Sequence, residues 1–304
     1  MKHEDISSEA DELWRLLAEN ENWESRYSRN AFEKIDQERL EEEAAAVDLF
    51  QPWLHILETS IGWLTAVWAL LAERVYGEEK KSKLLLSIWS LLSSSCNYAA
   101  SVRVLVKSGL DNPARGVARA LDEHLAACIA ILHQPDLAEG FHSAQDHDAA
   151  SQFWFKNFNT KRLKKHLNAT EKSAGIPPDV SKELRDWREN ELNVFSQTIH
   201  PNFVAGFMAA NPQDARDLEK VGLGIFGKLS ANSERTLNHS CKTIMYFSVV
   251  GGELLLNGEG NIPPLLEIDE TNTSHQDILI GRKAIFELNR RYWDYEIYPD
   301  SEMS

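Results

Sequence analysis

The residues best placed to do chemistry are three charged side chains on one apolar helix. The segment that opens at Asn112-Pro113 carries Arg115, Arg119 and Glu123, and a spacing of four puts all three on the same helical face. Ala114, Gly116, Ala118 and Ala120 alternate with them, and such small residues let a second helix approach closely, so the charged row is expected to be partly buried. A guanidinium inside a bundle needs a carboxylate partner and offers a planar fork to an anion. Two readings stand side by side. Arg119 with Glu123 is either an ordinary i,i+4 salt bridge or the start of a polar site in the bundle interior.

A second constellation lies in Phe195-Ser196-Gln197-Thr198-Ile199-His200-Pro201. Pro201 disfavours helical backbone at the residue before it, so a helix must stop at His200. There the negative end of the helix dipole favours the charged imidazole. His200 either caps that helix or joins Arg119 and Glu123 across the bundle. On the second reading Arg115, Arg119, Glu123, Ser196 and His200 are the ligand-binding set. His124 follows Arg119 by five positions, about 500° around a regular helix and so roughly 140° off its face. The two share no face within one subunit unless the helix kinks or a symmetric dimer brings two copies together.

Metal chemistry has little support. Glu139 and His142 have the i,i+3 spacing of di-iron bundles, but a carboxylate-bridged site needs a second such motif, and none occurs. No metal or other cofactor is expected. Leu223-Gly224-Ile225-Phe226-Gly227 is too apolar for a phosphate loop and lacks its Lys-Ser/Thr. The run Lys161-Arg162-Leu163-Lys164-Lys165-His166 reads as a solvated helix face or as a local anion-binding cluster.

The elements that must position these groups follow from the rest of the chain. Its 304 residues carry a formal charge of −15 with 43% hydrophobic residues, enough apolar material for a core and the wrong sign for a broad nucleic-acid face. Cys96, Cys128 and Cys241 lie far apart in apolar contexts, which suits a reducing cytoplasm. Leu84 to Ser101 is free of charge, but its serines suit close packing inside a bundle better than a lipid-facing span. The expectation is therefore cytoplasmic, with no membrane.

Apolar residues recur at helical spacing almost throughout, and no sustained period-two pattern appears. The expected fold is all-α: an antiparallel helical bundle over 51–258, two N-terminal helices over 1–50 packed on it, and a loop with a C-terminal helix over 259–304. Long helices are expected over about 52–76, ended by a left-handed Gly77, and 81–108, ended by Gly109. Others are expected from Asn112, as cap, to His133, from Asp179 to Pro201, over 232–256 and over 276–293. Gly175-Ile176-Pro177-Pro178 is a break.

Arg119 and Glu123 on a small-residue helix, then Gln134-Pro135-Asp136, then Ser196 and His200-Pro201, together resemble a widespread bacterial family of uncharacterised helical proteins with a HEPN-like core. The resemblance covers roughly residues 85–210. It implies a helical fold and a shared polar site, in a stress or defence system. HEPN ribonucleases carry Arg-x(4–6)-His, and Arg119 to His124 has that spacing. The expected function is a non-enzymatic binding or regulatory protein whose Arg/Glu/His site meets a protein partner or a small anionic ligand, as a monomer or a homodimer. The alternative is a metal-independent ribonuclease with Arg119 and either His124 or His200 as catalytic residues, RNA being a partner only in that case.

Overall fold

The structure is a computed structural model that describes residues 3–21, 30–77, 82–199, 203–221, 227–258 and 262–298. It is an all-α helical bundle with one small hairpin. In chain order the helices are α1 (His3–Asn20), α2 (Asn30–Leu49), α3 (Trp53–Gly77), α4 (Lys83–Lys107), α5 (Asp111–His133), α6 (Asp136–Ser143), α7 (His147–Asn157), α8 (Thr160–Ser173), α9 (Pro178–Ile199) and α10 (Phe203–Ala210). The hairpin β1 (Gln213–Asp214) and β2 (Asp217–Val221) follows, then α11 (Ser233–Asn257) and α12 (Thr273–Arg291).

Four long helices form the core. α3, α4, α5 and α11 pack on one another, and α12 closes the far side against α3 and α11. Each carries an apolar stripe wide enough to face two neighbours, as Leu121, Leu125, Cys128, Ile129 and Leu132 do on α5, all buried. α3 is long and apolar enough to cross a membrane by length and composition, yet half of that stretch is buried inside the bundle. Trp63 of α3 donates its indole N–H to the Ile278 carbonyl of α12 at 3.0 Å, so an aromatic body fills the interface while its polar edge is satisfied.

The turn between α4 and α5 sets the approach to the site. Gly109 has φ +69° and donates to the Val106 carbonyl, while Leu110 N–H reaches the Leu105 carbonyl at 2.8 Å. These are the paired bonds of a Schellman cap. Gly227, at φ +92°, lies against it: a side-chain carbon there would meet the Ser108 carbonyl oxygen, and one on Gly109 would meet the Lys228 backbone. α5 then starts at Asp111 with Leu110 in the cap position and no side-chain cap. Asn112 is thus not the cap, because the Schellman turn leads directly into the helix and Pro113 falls within the first turn, where its missing N–H costs nothing. Gly77 is the last residue of α3 and is absent from the left-handed glycines; right-handed backbone suffices where it closes the final turn.

The polar stretch 136–175 folds into three short helices, α6, α7 and α8. Phe158 meets Phe153 and Trp154 edge-on, and Phe153 meets Phe141 in the same way, while Phe155 stays exposed. Glu139 of α6 pairs with Lys83 of α4, which gives its carboxylate a structural role. The hairpin was not foreseen: two to five residues are too few for an alternation to register. It is held to α2 by Glu42, whose buried carboxylate accepts from Arg216 at 2.9 Å, Lys228 at 3.2 Å and the Leu229 N–H at 3.2 Å. Gly222 and Gly224 lie outside the described residues.

Two outcomes test this account. Gly227→Ala combines positive-φ strain with a backbone clash and should cost at least ~2 kcal/mol in urea denaturation. Burial raises the Glu42 carboxyl, but Arg216, the Leu229 N–H and Lys228 outweigh it and hold it below its ordinary 4.5. Its contribution is therefore present above pH 4.5 and is lost as the pH falls through the lower folded value. A Glu42→Gln protein should lose less stability than wild type over that interval, measured by urea titrations at stepped pH.

Candidate functional site

Outside the core bundle, α8 and α9 pack on α5 and on each other, with side-chain contacts to α11 at Arg235, His239 and Tyr246, and a cavity of about 260 Å³ opens between them. Local sequence makes both outer helices two-faced. On α8, Thr160, Leu163, Leu167 and Glu171 follow one another at three- and four-residue steps and turn to the cavity. On α9, Leu184, Arg188, Leu192 and Ser196 form an unbroken i,i+4 row on the same wall. α5 contributes Arg119, Asp122 and Glu123, and α11 contributes Tyr246.

Buried polar contacts tie these four helices together. Arg188 meets Asp122 as a bidentate fork, Nε to Oδ1 at 3.0 Å and Nη2 to Oδ2 at 2.8 Å, with side chains 13% and 3% exposed. Burial works against the Arg188 charge, but Asp122 more than offsets it and raises the guanidinium above its ordinary value. The same guanidinium lies 6.0 Å from the centre of the Tyr246 ring. Tyr246 donates to Glu171 Oε1 at 2.7 Å, and Ser181 donates to the other carboxylate oxygen. Burial, reinforced by the Glu171 carboxylate, pushes the Tyr246 phenol well above its ordinary value, so it remains a donor. Below the wall, His239 is sealed between Trp187 and Phe195, at ring distances of 5.4 and 4.7 Å. Burial lowers its pKa and keeps it neutral.

At the edge of the cavity Arg119 donates through Nε to Glu123 at 3.0 Å and through Nη1 to Ser196 at 3.0 Å. Three of the residues singled out by sequence therefore meet: Arg119, Glu123 and Ser196. Both readings of the Arg119–Glu123 pair hold at once, since the i,i+4 bridge forms and also lines the cavity. Arg115 does not join them. It lies one turn earlier, buried, and pairs back to Asp111 at 2.7 Å, whose other oxygen accepts from Thr236 at 2.9 Å. His124 is also apart. Its Nδ1 donates to the Ala120 carbonyl at 2.8 Å, its ring packs between Tyr98 and Trp154, and burial lowers its pKa. His200 lies outside the described residues.

Sequence reasoning missed most of the wall: Asp122, Arg188, Glu171, Asn168 and Tyr246. The row 184–188–192–196 was open to the same four-residue count applied to α5. Nothing local signals that Asp122 and Tyr246 face it, because their neighbours come from other helices.

Chemically, the wall has spent its acids. Asp122 is held by Arg188, Glu123 by Arg119, Glu189 by Lys164 and Glu171 by two hydroxyls. Arg185 lines the cavity with no carboxylate partner among the described residues. Three buried polar atoms on wall residues also lack a protein partner: Arg188 Nη1, Trp187 Nε1 and Asn168 Oδ1. Among the described lining residues there is no His and no Cys, hence no side chain that titrates near neutrality without a large shift. The described residues hold no cluster of His, Cys, Asp and Glu suited to a metal ion. In comparisons with protein-family models, curated proteins and solved structures, nothing matches the chain.

The Asp122–Arg188 pair generates the prediction. Asp122→Ala strands a buried guanidinium and should cost ~3–5 kcal/mol, whereas Asp122→Leu combined with Arg188→Met should recover most of the loss. Urea midpoints of the three proteins, at constant slope, check it.

Proposed function

We propose that this chain is a non-enzymatic binding protein that holds a small anionic ligand in the cavity between α5, α8, α9 and α11. The observation that carries the reading is the state of the wall: every lining carboxylate is engaged by a donor, while Arg185 and part of the Arg188 fork are not. A buried guanidinium with spare N–H donors is a preorganised seat for a carboxylate or phosphate oxygen. The apolar remainder, Leu163, Leu167, Leu184 and Leu192, matches the mixture of apolar surface and few convergent polar groups that ligand pockets present. A regulatory role in a bacterial stress or defence system is part of this proposal and rests on the sequence resemblance alone.

The wall gives less to a hydrolytic reading. General acid–base cleavage near neutral pH calls for a group that can exchange a proton there, and His124, the partner at ribonuclease spacing, packs against Tyr98 and Trp154 away from Arg119.

Thermal unfolding in the presence of millimolar citrate, succinate, inorganic phosphate and adenosine monophosphate tests the proposal, with RNA cleavage under chelation run in parallel. Binding should raise the Tm of wild type with at least one of these anions and leave Leu192→Trp, whose side chain fills the cavity, unmoved. Metal-independent RNA cleavage lost in Arg119→Ala and in either His124→Ala or His200→Ala would overturn it in favour of the ribonuclease.

A further inference from the structure

The basic run on α8 has a definite relation to the cavity. Lys161, Lys164, Lys165 and Asn168 recur at steps of three, one and three, which places them on one helical stripe. They line a shallow groove together with Asn159 and Arg162. Lys164 and Asn168 also belong to the cavity wall, so the groove and the cavity share a border. Lys164 pairs with Glu189. Lys161, Arg162 and Lys165 are exposed and have no carboxylate partner among the described residues. The groove lies at the start of α8, where Asn159 caps the helix by accepting from the Arg162 N–H at 3.1 Å, and where the helix dipole adds a positive partial charge. A chain with a formal charge of −15 thus concentrates unpaired cations beside its one described cavity with a buried Arg fork.

We infer that the ligand is a phosphate monoester of nucleotide size, its phosphate on the Lys161/Lys165 stripe of α8 and its organic part in the cavity. The inference rests on the binding function proposed above and specifies its ligand class. Size and charge both lead there. A cavity of about 260 Å³ falls just under the range of about 300–1,000 Å³ usual for small-molecule pockets. It takes a base or a sugar and not a polymer. A dianionic phosphate suits several convergent lysines, which act on it as point charges. Inside, Asn168, the Trp187 indole and the spare Arg188 N–H, with Asn193 at the edge, offer donors and acceptors to the edges of a planar head. The leucines and the Trp187 ring cover its faces.

Isothermal titration calorimetry with adenosine and guanosine monophosphates, the two parent nucleosides and inorganic phosphate tests the inference. The proteins are wild type, Lys161→Glu/Lys165→Glu, Leu192→Trp and Asn193→Phe; Asn193 is exposed at the cavity edge, so its variant guards against misfolding of the half-buried Leu192 variant. A monophosphate should bind at least about tenfold more tightly than its nucleoside and than phosphate alone. The double reversal should remove at least about tenfold of that affinity, since each charged hydrogen bond carries about that much. Added salt should weaken binding, and both cavity variants should abolish it. Nucleosides binding as well as monophosphates, or an unchanged affinity after the reversal, would overturn the inference while leaving a cavity-binding function intact. Failure of every nucleotide at millimolar concentration would also overturn it. If citrate and succinate also leave the Tm unmoved in the thermal-unfolding experiment, the binding function falls with it.

Discussion

α9 is too polar to be held by the hydrophobic effect alone, and the buried Asp122–Arg188 pair supplies what its apolar face lacks. Removing two charges from water is expensive, and the mutual attraction repays that cost only with good geometry and further hydrogen bonds. The bidentate fork provides both. A second bidentate pair, Arg235 with Glu191 at 2.8 and 2.9 Å, holds the outer edge of the same helix to α11. On either side of Arg188 and Glu191 along α9, Trp187 and Phe195 close over His239. The cavity lies where the row Leu184, Arg188, Leu192 and Ser196 of the anchored α9 faces Leu163 and Leu167 of α8. Loss of the pair would release the wall of the site before it touched the core.

This separates two kinds of stabilisation within one chain. The helices α3, α4, α5 and α11 bury continuous apolar surface, and their stability follows from area removed from water. The outer layer of α8 and α9 depends on a few directed contacts among Asp122, Arg188, Glu171, Tyr246 and Ser181. Such networks are sensitive to each member, because a half-satisfied group is costly at low dielectric. They also specify geometry, which a leucine interface does not. A binding site placed on the directed layer and backed by the apolar one can adjust to a ligand without disturbing the fold. The spare donors on Arg188 and Trp187 lie in the layer where a ligand oxygen would complete the network.

The fold class was legible because helical spacing of apolar residues runs almost unbroken from Trp53 to Leu132 and again from Leu237 to Leu256. The break at Gly175 and the stop at Gly109 were legible because positive φ leaves few residue choices. Of α8 only the face 161–166 was legible, and α6 and α7 were not, since eight to eleven residues show weak periodicity and their aromatics cluster by tertiary contact. For the site, a four-residue count found Arg119 and Glu123, and the same count on the next polar helix reaches Ser196. It also drew in Arg115, which shares the row but turns one step back to Asp111. Partners four apart on one helix can be read from sequence. Partners on different helices, Asp122 with Arg188 or Tyr246 with Glu171, are 66 and 75 positions apart and depend on how the helices cross.

A nucleotide monophosphate held between α8 and α9 would add contacts to both helices and slow their local opening. Amide hydrogen exchange of the full chain, followed with and without saturating adenosine monophosphate, addresses it most directly. Binding should slow exchange across 160–173 and 178–196 and leave the core helices α3 and α4 unchanged. Exchange in both segments that is the same with and without the nucleotide would contradict it.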